Sequence, residues 1–205
     1  FNSFSLGIGA DGVPGYPLIE AYLTGKELKT VAEIDASVSD LMTSARLYMY
    51  GLQFTYNPHR MILNRVTDVY LLDADGNRRE LEDDKLYRVV ADLYSGQMLS
   101  AVTKTSYGLL SVVPKKADGT PIEDFEDVIL TDNGGELKAW TAIAHYMESF
   151  PDENGDGIAD IPQYYAGLHE RKVVDDSFNL IKLIKNPNKY AVMIAGIVLI
   201  AILLV

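Results

Sequence analysis

The 205-residue chain contains no cysteine. Disulfides, thiolate metal sites and a cysteine nucleophile are thereby excluded, while the redox compartment stays open. Histidine is nearly as scarce, with three residues at positions 59, 145 and 169. No two of these keep the spacing by which one helix or hairpin brings ligands onto a metal. Two-metal ester hydrolysis, which needs clustered His, Asp and Asn, is therefore not expected from these residues, and no catalytic residue is assigned. A G-x-S-x-G elbow is also missing, as is any internal repeat. Positive charge is short as well: 18 Lys and Arg against 29 Asp and Glu leave a net charge of -11. A phosphate backbone needs a basic surface, so a nucleic-acid polymer is excluded as a partner. Neither an initiator Met nor a basic leader precedes Phe1-Asn2-Ser3-Phe4. The expectation is a mature fragment or a piece of a longer protein.

What is present points to a folded domain: 48% hydrophobic residues and 13 Tyr suit a packed core. One long uncharged run, Tyr190 to Val205, closes the chain. At about 1.5 Å per residue it covers roughly 24 Å, against the ~20 residues of a full span. It is expected to be most of a transmembrane helix, cut short, with Lys182, Lys185 and Lys189 on its near side. Those lysines also suit anionic lipid headgroups. Three regions follow: a folded domain over 1–150, a connector over 151–189 and the membrane helix over 190–205.

Along the chain, Gly7, Gly9 and Gly12 fit G-x-G-x-x-G, but Val13-Pro14-Gly15 follows where a phosphate cradle needs a helix. Leu18 to Leu23 alternates as a strand, and Thr24 can cap a helix starting near Lys26. Arg46 to Tyr56 and Arg65 to Leu72 read as a strand pair around the Asn57-Pro58 turn. Leu86 to Leu93 reads as a central strand, and Gly108 to Val113 as another. A helix is expected from Glu136 to about Glu148, with Leu137, Trp140, Ala144 and Met147 facing the core. Strands and helices mix without βαβ alternation, so the expected class is α+β, a mixed sheet with helices packed on it.

Four stretches carry a family likeness: GYPLIEAYLTGKEL, GLQFTYNP, RVTDVYL and DDKLYRVVADLYSGQML. In order and spacing they resemble the C-terminal domain of the 5'-nucleotidase family, over roughly Ser5 to Phe150. The resemblance implies a substrate-binding domain that stacks a nucleoside base between two aromatic rings. It also implies an upstream metallophosphoesterase domain, absent from this chain, that holds the divalent metals. Tyr94 falls where the family places one ring, and Tyr16 is the nearest match to the other. The family's Gly-Gly-Asp-Gly after the aromatic is replaced by Gly96, Gln97, Met98 and Leu99. The Asp ligand thus has no counterpart, and Gln97 is the candidate to offer an amide instead. A nucleoside or nucleotide is the implied partner, and the folded domain is expected outside the cell.

The connector holds a second motif. Asp152, Asn154, Asp156, the Ile158 carbonyl and Asp160 follow the spacing of a calcium loop, with Gly157 at its sharp turn. Gln163 stands where a bidentate Glu is expected, which weakens the site toward the millimolar range. A hydrated turn needing no ion fits the same residues. Two readings follow. One is the nucleoside-binding part of a membrane-anchored nucleotide phosphohydrolase acting in nucleotide catabolism, of the 5'-nucleotidase or 2',3'-cyclic-nucleotide phosphodiesterase type. The other is a non-catalytic cell-surface interaction module stiffened by calcium.

Overall fold

The computed structural model describes residues 7–9, 11–39, 46–73, 75–105 and 110–204, the side chains of 100–105 aside. Its elements run β1 (Leu18–Thr24), α1 (Gly25–Val38), β2 (Leu52–Tyr56), β3 (Val66–Leu72), β4 (Arg78–Glu80), β5 (Leu86–Asp92) and α2 (Leu93–Thr105). Then come β6 (Thr131–Asp132), β7 (Gly135–Glu136), α3 (Ala139–Glu148), β8 (Lys172–Val174), α4 (Leu180–Ile184) and α5 (Lys189–Leu203). The class is α+β. The chain packs as two compact units, one from residues 1–24 and 86–169, the other from 25–85 and 170–205.

In the first unit β1 and β5 pair antiparallel, from Leu18 opposite Asp92 to Thr24 opposite Leu86. Alternation buries Ile19, Ala21 and Leu23 on one face of β1, where Ile122 and Phe125 join the core. The other edge of β1 is bonded by passing segments, Tyr22 to Lys115 and Leu18 to Leu130 and Leu137. Of the strand expected over Gly108 to Val113, residues 108 and 109 lie outside the described residues and 110–113 form no strand, while Lys115 bridges to Tyr22. Helix α2 comes close to the sheet because position 96 is glycine. A Cβ there would overlap the Ile19 Cδ1 and press on the Phe125 ring.

In the second unit the sheet order is β4-β3-β2-β8, with β8 parallel to β2 and the rest antiparallel. Phe54, Leu52 and Val69 fill its core, and α1 packs on β3. The buried Glu33 of α1 fixes that docking. Its carboxylate accepts from the Arg65 and Val66 amides at 2.8 and 2.9 Å and from the Ser37 hydroxyl at 2.6 Å. A buried carboxylate is tolerable only with such donors, which is why an acidic residue stands on an inward face.

The C-terminal run requires a correction. Helix α5 has 15 residues, about 22 Å of rise, against a hydrocarbon core of ~30 Å. Among the described residues no helix is long and apolar enough to cross a membrane. The first turn of α5 belongs to the second unit instead. Asn188 caps it, accepting from the Tyr190 and Ala191 amides, and both of those side chains are buried.

Candidate functional site

Both tyrosines singled out from the sequence stand at one end of the β1–β5 ladder. Leu18 pairs with Asp92, and the Leu93 amide donates to the Pro17 carbonyl at 2.9 Å. Run on by two residues, that register sets Tyr16 opposite Tyr94. Their ring centroids lie 5.8 Å apart at an interplanar angle of 35°. Both rings are partly open to solvent, at 40% and 44% exposure. They border a cleft of about 610 Å³ whose floor and wall are Leu18, Asp92, Ala139, Ala142, Ile143 and Tyr146. The volume lies in the range of small-molecule pockets, roughly 300–1,000 Å³.

Helix α3 supplies its wall by period: Ala139, Ala142, Ile143 and Tyr146 are one stripe at i, i+3, i+4 and i+7. No residue of α3 is buried, and Met147 is exposed, so its apolar side faces the cleft and not a core. The stripe expected to face a core, Leu137, Trp140, Ala144 and Met147, is not the one that lines the cleft, and the helix starts at Ala139, not Glu136.

Asp92 is a residue the sequence reading missed. Its carboxylate accepts from the Ser95 amide at 2.9 Å and the Ser95 hydroxyl at 2.7 Å. Bonding the amide three positions on is N-cap geometry, so Asp92 starts α2 and thereby aims Tyr94. An Asp directly before an apolar helical run, with Ser three residues later, is the signal that marks it. Gln97 is exposed one turn further along α2 and is not among the residues that line the cleft.

A buried ion pair carries Tyr16. The Gly15 N–H donates to the Gly7 carbonyl at 2.9 Å, and Tyr16 packs its ring over Gly7. Lys138, only 2% exposed, bonds Asp11 at 2.9 Å and also pairs with Glu136. Burial works against its charge, and the carboxylates of Glu136 and Asp11 outweigh that, so Lys138 titrates above the ordinary lysine value. Next to it the Ala139 amide donates to the Tyr16 carbonyl, and the Trp140 indole donates to the Pro14 carbonyl at 2.9 Å. Loop and helix thus hold Tyr16 from both sides.

The Lys138 ammonium and then the Val13 amide hold the Asp11 carboxyl below its ordinary value of 3.8. A depressed carboxylate contributes stability that is present above the unfolded pKa and lost as pH falls through the folded one. Acidification below about pH 3.8 is therefore expected to free the loop before the rest of the unit. Trp140 is the only tryptophan, so its emission reports the change. Asp11→Asn is expected to show the freed emission already at neutral pH. An Asp11→Asn spectrum matching the parent would remove the role given to this ion pair.

The calcium motif lies in an exposed loop. The Asp152 carboxylate accepts from the Gly155 and Gly157 amides at 2.6 and 2.9 Å, and these bonds hold its pKa below the ordinary value. Asp160 accepts from Glu153 and Asn154, and Asn154 and Asp156 each bond the amide two residues on. Ile158 is exposed. Among the described residues no three His, Cys, Asp or Glu side chains gather as a metal site. The histidines sit apart: His59 stacks on Phe178 and pairs with Asp176, His145 lies 3.9 Å from Asp132, and His169 stacks on Tyr164.

Two aromatic rings that clamp a base between them need about 7 Å, two layers of ~3.5 Å. At 5.8 Å the tyrosines instead touch each other, so one ring has to swing aside for a base to lie between them. The chemistry on offer is stacking, apolar contact and hydroxyl hydrogen bonding.

A family model described as 5'-nucleotidase, C-terminal domain, matches residues 15–102. No curated protein matches. Among solved structures, a 5'-nucleotidase precursor from Thermus thermophilus aligns at 20% identity and a TM-score of 0.48, covering 78% of this chain and 25% of that one. An NAD nucleotidase from Haemophilus influenzae aligns at 22% identity and a TM-score of 0.35, covering 41% and 18%. This chain thus spans a quarter or less of the length of either structure. The stretch 15–102, which holds β1, both cleft tyrosines and most of α2, matches the family of 5'-nucleotidase C-terminal domains.

Proposed function

We propose that this chain carries the nucleoside-binding part of a nucleotide phosphohydrolase of the 5'-nucleotidase or 2',3'-cyclic-nucleotide phosphodiesterase type. The observation that carries the reading is the pair of opposed, half-open rings of Tyr16 and Tyr94 at the mouth of an apolar cleft. A nucleobase offers a flat π-face to each ring, and one such contact is worth about 1–3 kcal/mol. The hydrolytic step is assigned to a metallophosphoesterase domain outside this chain, which holds the divalent metals. In this reading the chain's own residues take no part in the hydrolytic step. Their work is to grip the base, orient the ester and keep water off the stacked face. Calorimetric titration with adenosine and uridine tests this. Saturable binding of either, without phosphate release from the monophosphate, is expected. Absence of binding to both would overturn the reading.

A second reading rests on the loop over 151–162. Its backbone is already curled, with Gly155 and Gly157 at φ of +77° and +86° and carboxylates turned toward loop amides. In it calcium stiffens the connector of a surface module. Millimolar calcium is then expected to raise the melting temperature, and Asp156→Ala to abolish the rise. An equal rise in parent and variant would sink it.

A further inference from the structure

The second unit has a cleft of its own, about 420 Å³, that the nucleoside reading leaves unused. Arg46, Arg171 and Lys172 line it together with Tyr48, Tyr56 and the buried Asp35. Asp35 is spoken for. It accepts from Lys172 at 2.6 Å and from the Leu47 amide at 2.7 Å, and the Lys172 ammonium also reaches the Leu47 carbonyl. Those bonds fix the strand–helix corner on which the cleft is built. Among the described residues neither Arg46 nor Arg171 pairs with a carboxylate. Three cations therefore meet one committed anion, in a chain whose net charge is -11. So local a reversal of sign needs a reason, since free arginines on an acidic protein find carboxylates easily. An aromatic ring faces the Arg171 guanidinium, while the Lys172 ammonium is already paired with Asp35 and lies near a second ring. Arg171 lies over the Tyr50 ring at 5.2 Å and Lys172 over Tyr48 at 5.6 Å, while Tyr48 itself is 88% exposed.

The geometry points to an anion site in this cleft that takes a phosphate group, with Arg46 and Arg171 as its forks and Lys172 as a point charge. Guanidinium forks match phosphate oxygens two at a time, and a flanking ammonium adds charge without restricting geometry. The volume exceeds a bare phosphate, and the exposed face of Tyr48 is placed to cover a planar group attached to it. The site is independent of the cleft between Tyr16 and Tyr94, because it lies wholly in the other unit.

Titrating the full chain with inorganic phosphate and with phenyl phosphate, at physiological ionic strength, tests the assignment. Saturable binding is expected, weakened at least tenfold by Arg171→Ala and by Arg46→Ala, and only a few-fold by Arg171→Lys. The Arg171 carbonyl, not its side chain, bonds the Phe54 amide, so the fold is expected to survive the change, and a melting curve checks it. Tighter phenyl phosphate, reduced to the inorganic value by Tyr48→Ala, assigns the site to an organic phosphate. Equal affinities assign it to the free ion. Tyr94→Ala leaves either result unchanged, so failure of the nucleoside reading leaves this one intact. No saturable binding, or parent-like binding by both arginine variants, would overturn it.

Discussion

Truncating Tyr94 to alanine is expected to weaken nucleoside binding by about five- to 150-fold, the equivalent of one stacked ring at ~1–3 kcal/mol. The ring is 44% exposed and sits in the first turn of α2, so its loss leaves no core cavity. Stability is expected to stay within about 0.5 kcal/mol of the parent. Tyr16→Ala follows the same direction. The double variant separates two geometries. If both rings flank one base, removing either lets the base slide, and the two losses are less than additive. If only Tyr94 stacks, Tyr16→Ala costs little beyond the ring–ring contact at 5.8 Å. Tyr94→Phe keeps the π-face and is expected to bind nearly as well as the parent. Calorimetry on the parent and the four variants decides. An alanine variant at position 94 that binds as tightly as the parent would show that the cleft is not the nucleoside site.

Asp92 makes a contrasting case in the same cleft. Its carboxylate is committed to Ser95 at both oxygens, so its part is to start α2. Replacing a capping Asp with Ala costs about 1 kcal/mol of helix stability. Asn, which caps equally well, separates that role from direct contact with ligand.

How much of this was legible in the residues depends on range. Strands β1, β3 and β5 follow from alternation and turn residues, because the period-2 pattern is local; of the strand expected over Arg46 to Tyr56 only the end, β2, forms, and 46–50 are not strand. Helix α2 was missed. Its LYSGQMLSAVTKT carries a glycine and several Ser and Thr, and the gain that makes it helical is tertiary: the Asp92 cap and the fit of Gly96 against Ile19. Strand β8 has three residues and finds its parallel partner β2 more than a hundred positions away, so no local signal marks it. The tyrosine pair was legible as residue types, through the family motifs. That they face each other needed the register of β1 on β5, which pairs strands separated by the whole of the second unit's first segment. Lys138 was invisible for a different reason. A lysine before a helix reads as solvated, and only the two carboxylates from Asp11 and Glu136 make its burial tolerable.

Arg60 is expected to be a costly single truncation in the second unit. The side chain is 6% exposed and has no carboxylate partner among the described residues; it spends its donors on backbone. Nε donates to the Asn64 carbonyl at 2.6 Å, one Nη to the Lys182 carbonyl and the other to Lys185 at 2.9 Å. Lys182 lies in the last turn of α4 and Lys185 caps it, so the guanidinium satisfies carbonyls that a helix end leaves unpaired. A positive charge there also complements the helix dipole. Burial lowers the Arg60 pKa, with the Glu33 carboxylate opposing, yet a guanidinium stays charged at any working pH. Arg60→Ala strips three acceptors of a charged donor, at roughly 1 kcal/mol net each, so a loss of about 3 kcal/mol is expected. With a urea slope of about 2 kcal/mol/M for a unit of this size, the midpoint falls by roughly 1.5 M. Lysine offers one point donor in place of a fork and is expected to recover no more than a third of the loss. The effect is expected to spread along the chain. Asn64 also accepts from the Asn188 amide at 2.9 Å, and Asn188 caps α5. Hydrogen exchange at Tyr190 and Ala191 should quicken in the alanine variant even though both amides bond Asn188 and not Arg60. A midpoint shift below about 0.5 M, with exchange at those amides unchanged, would mean that α4 and α5 are held by something other than this guanidinium.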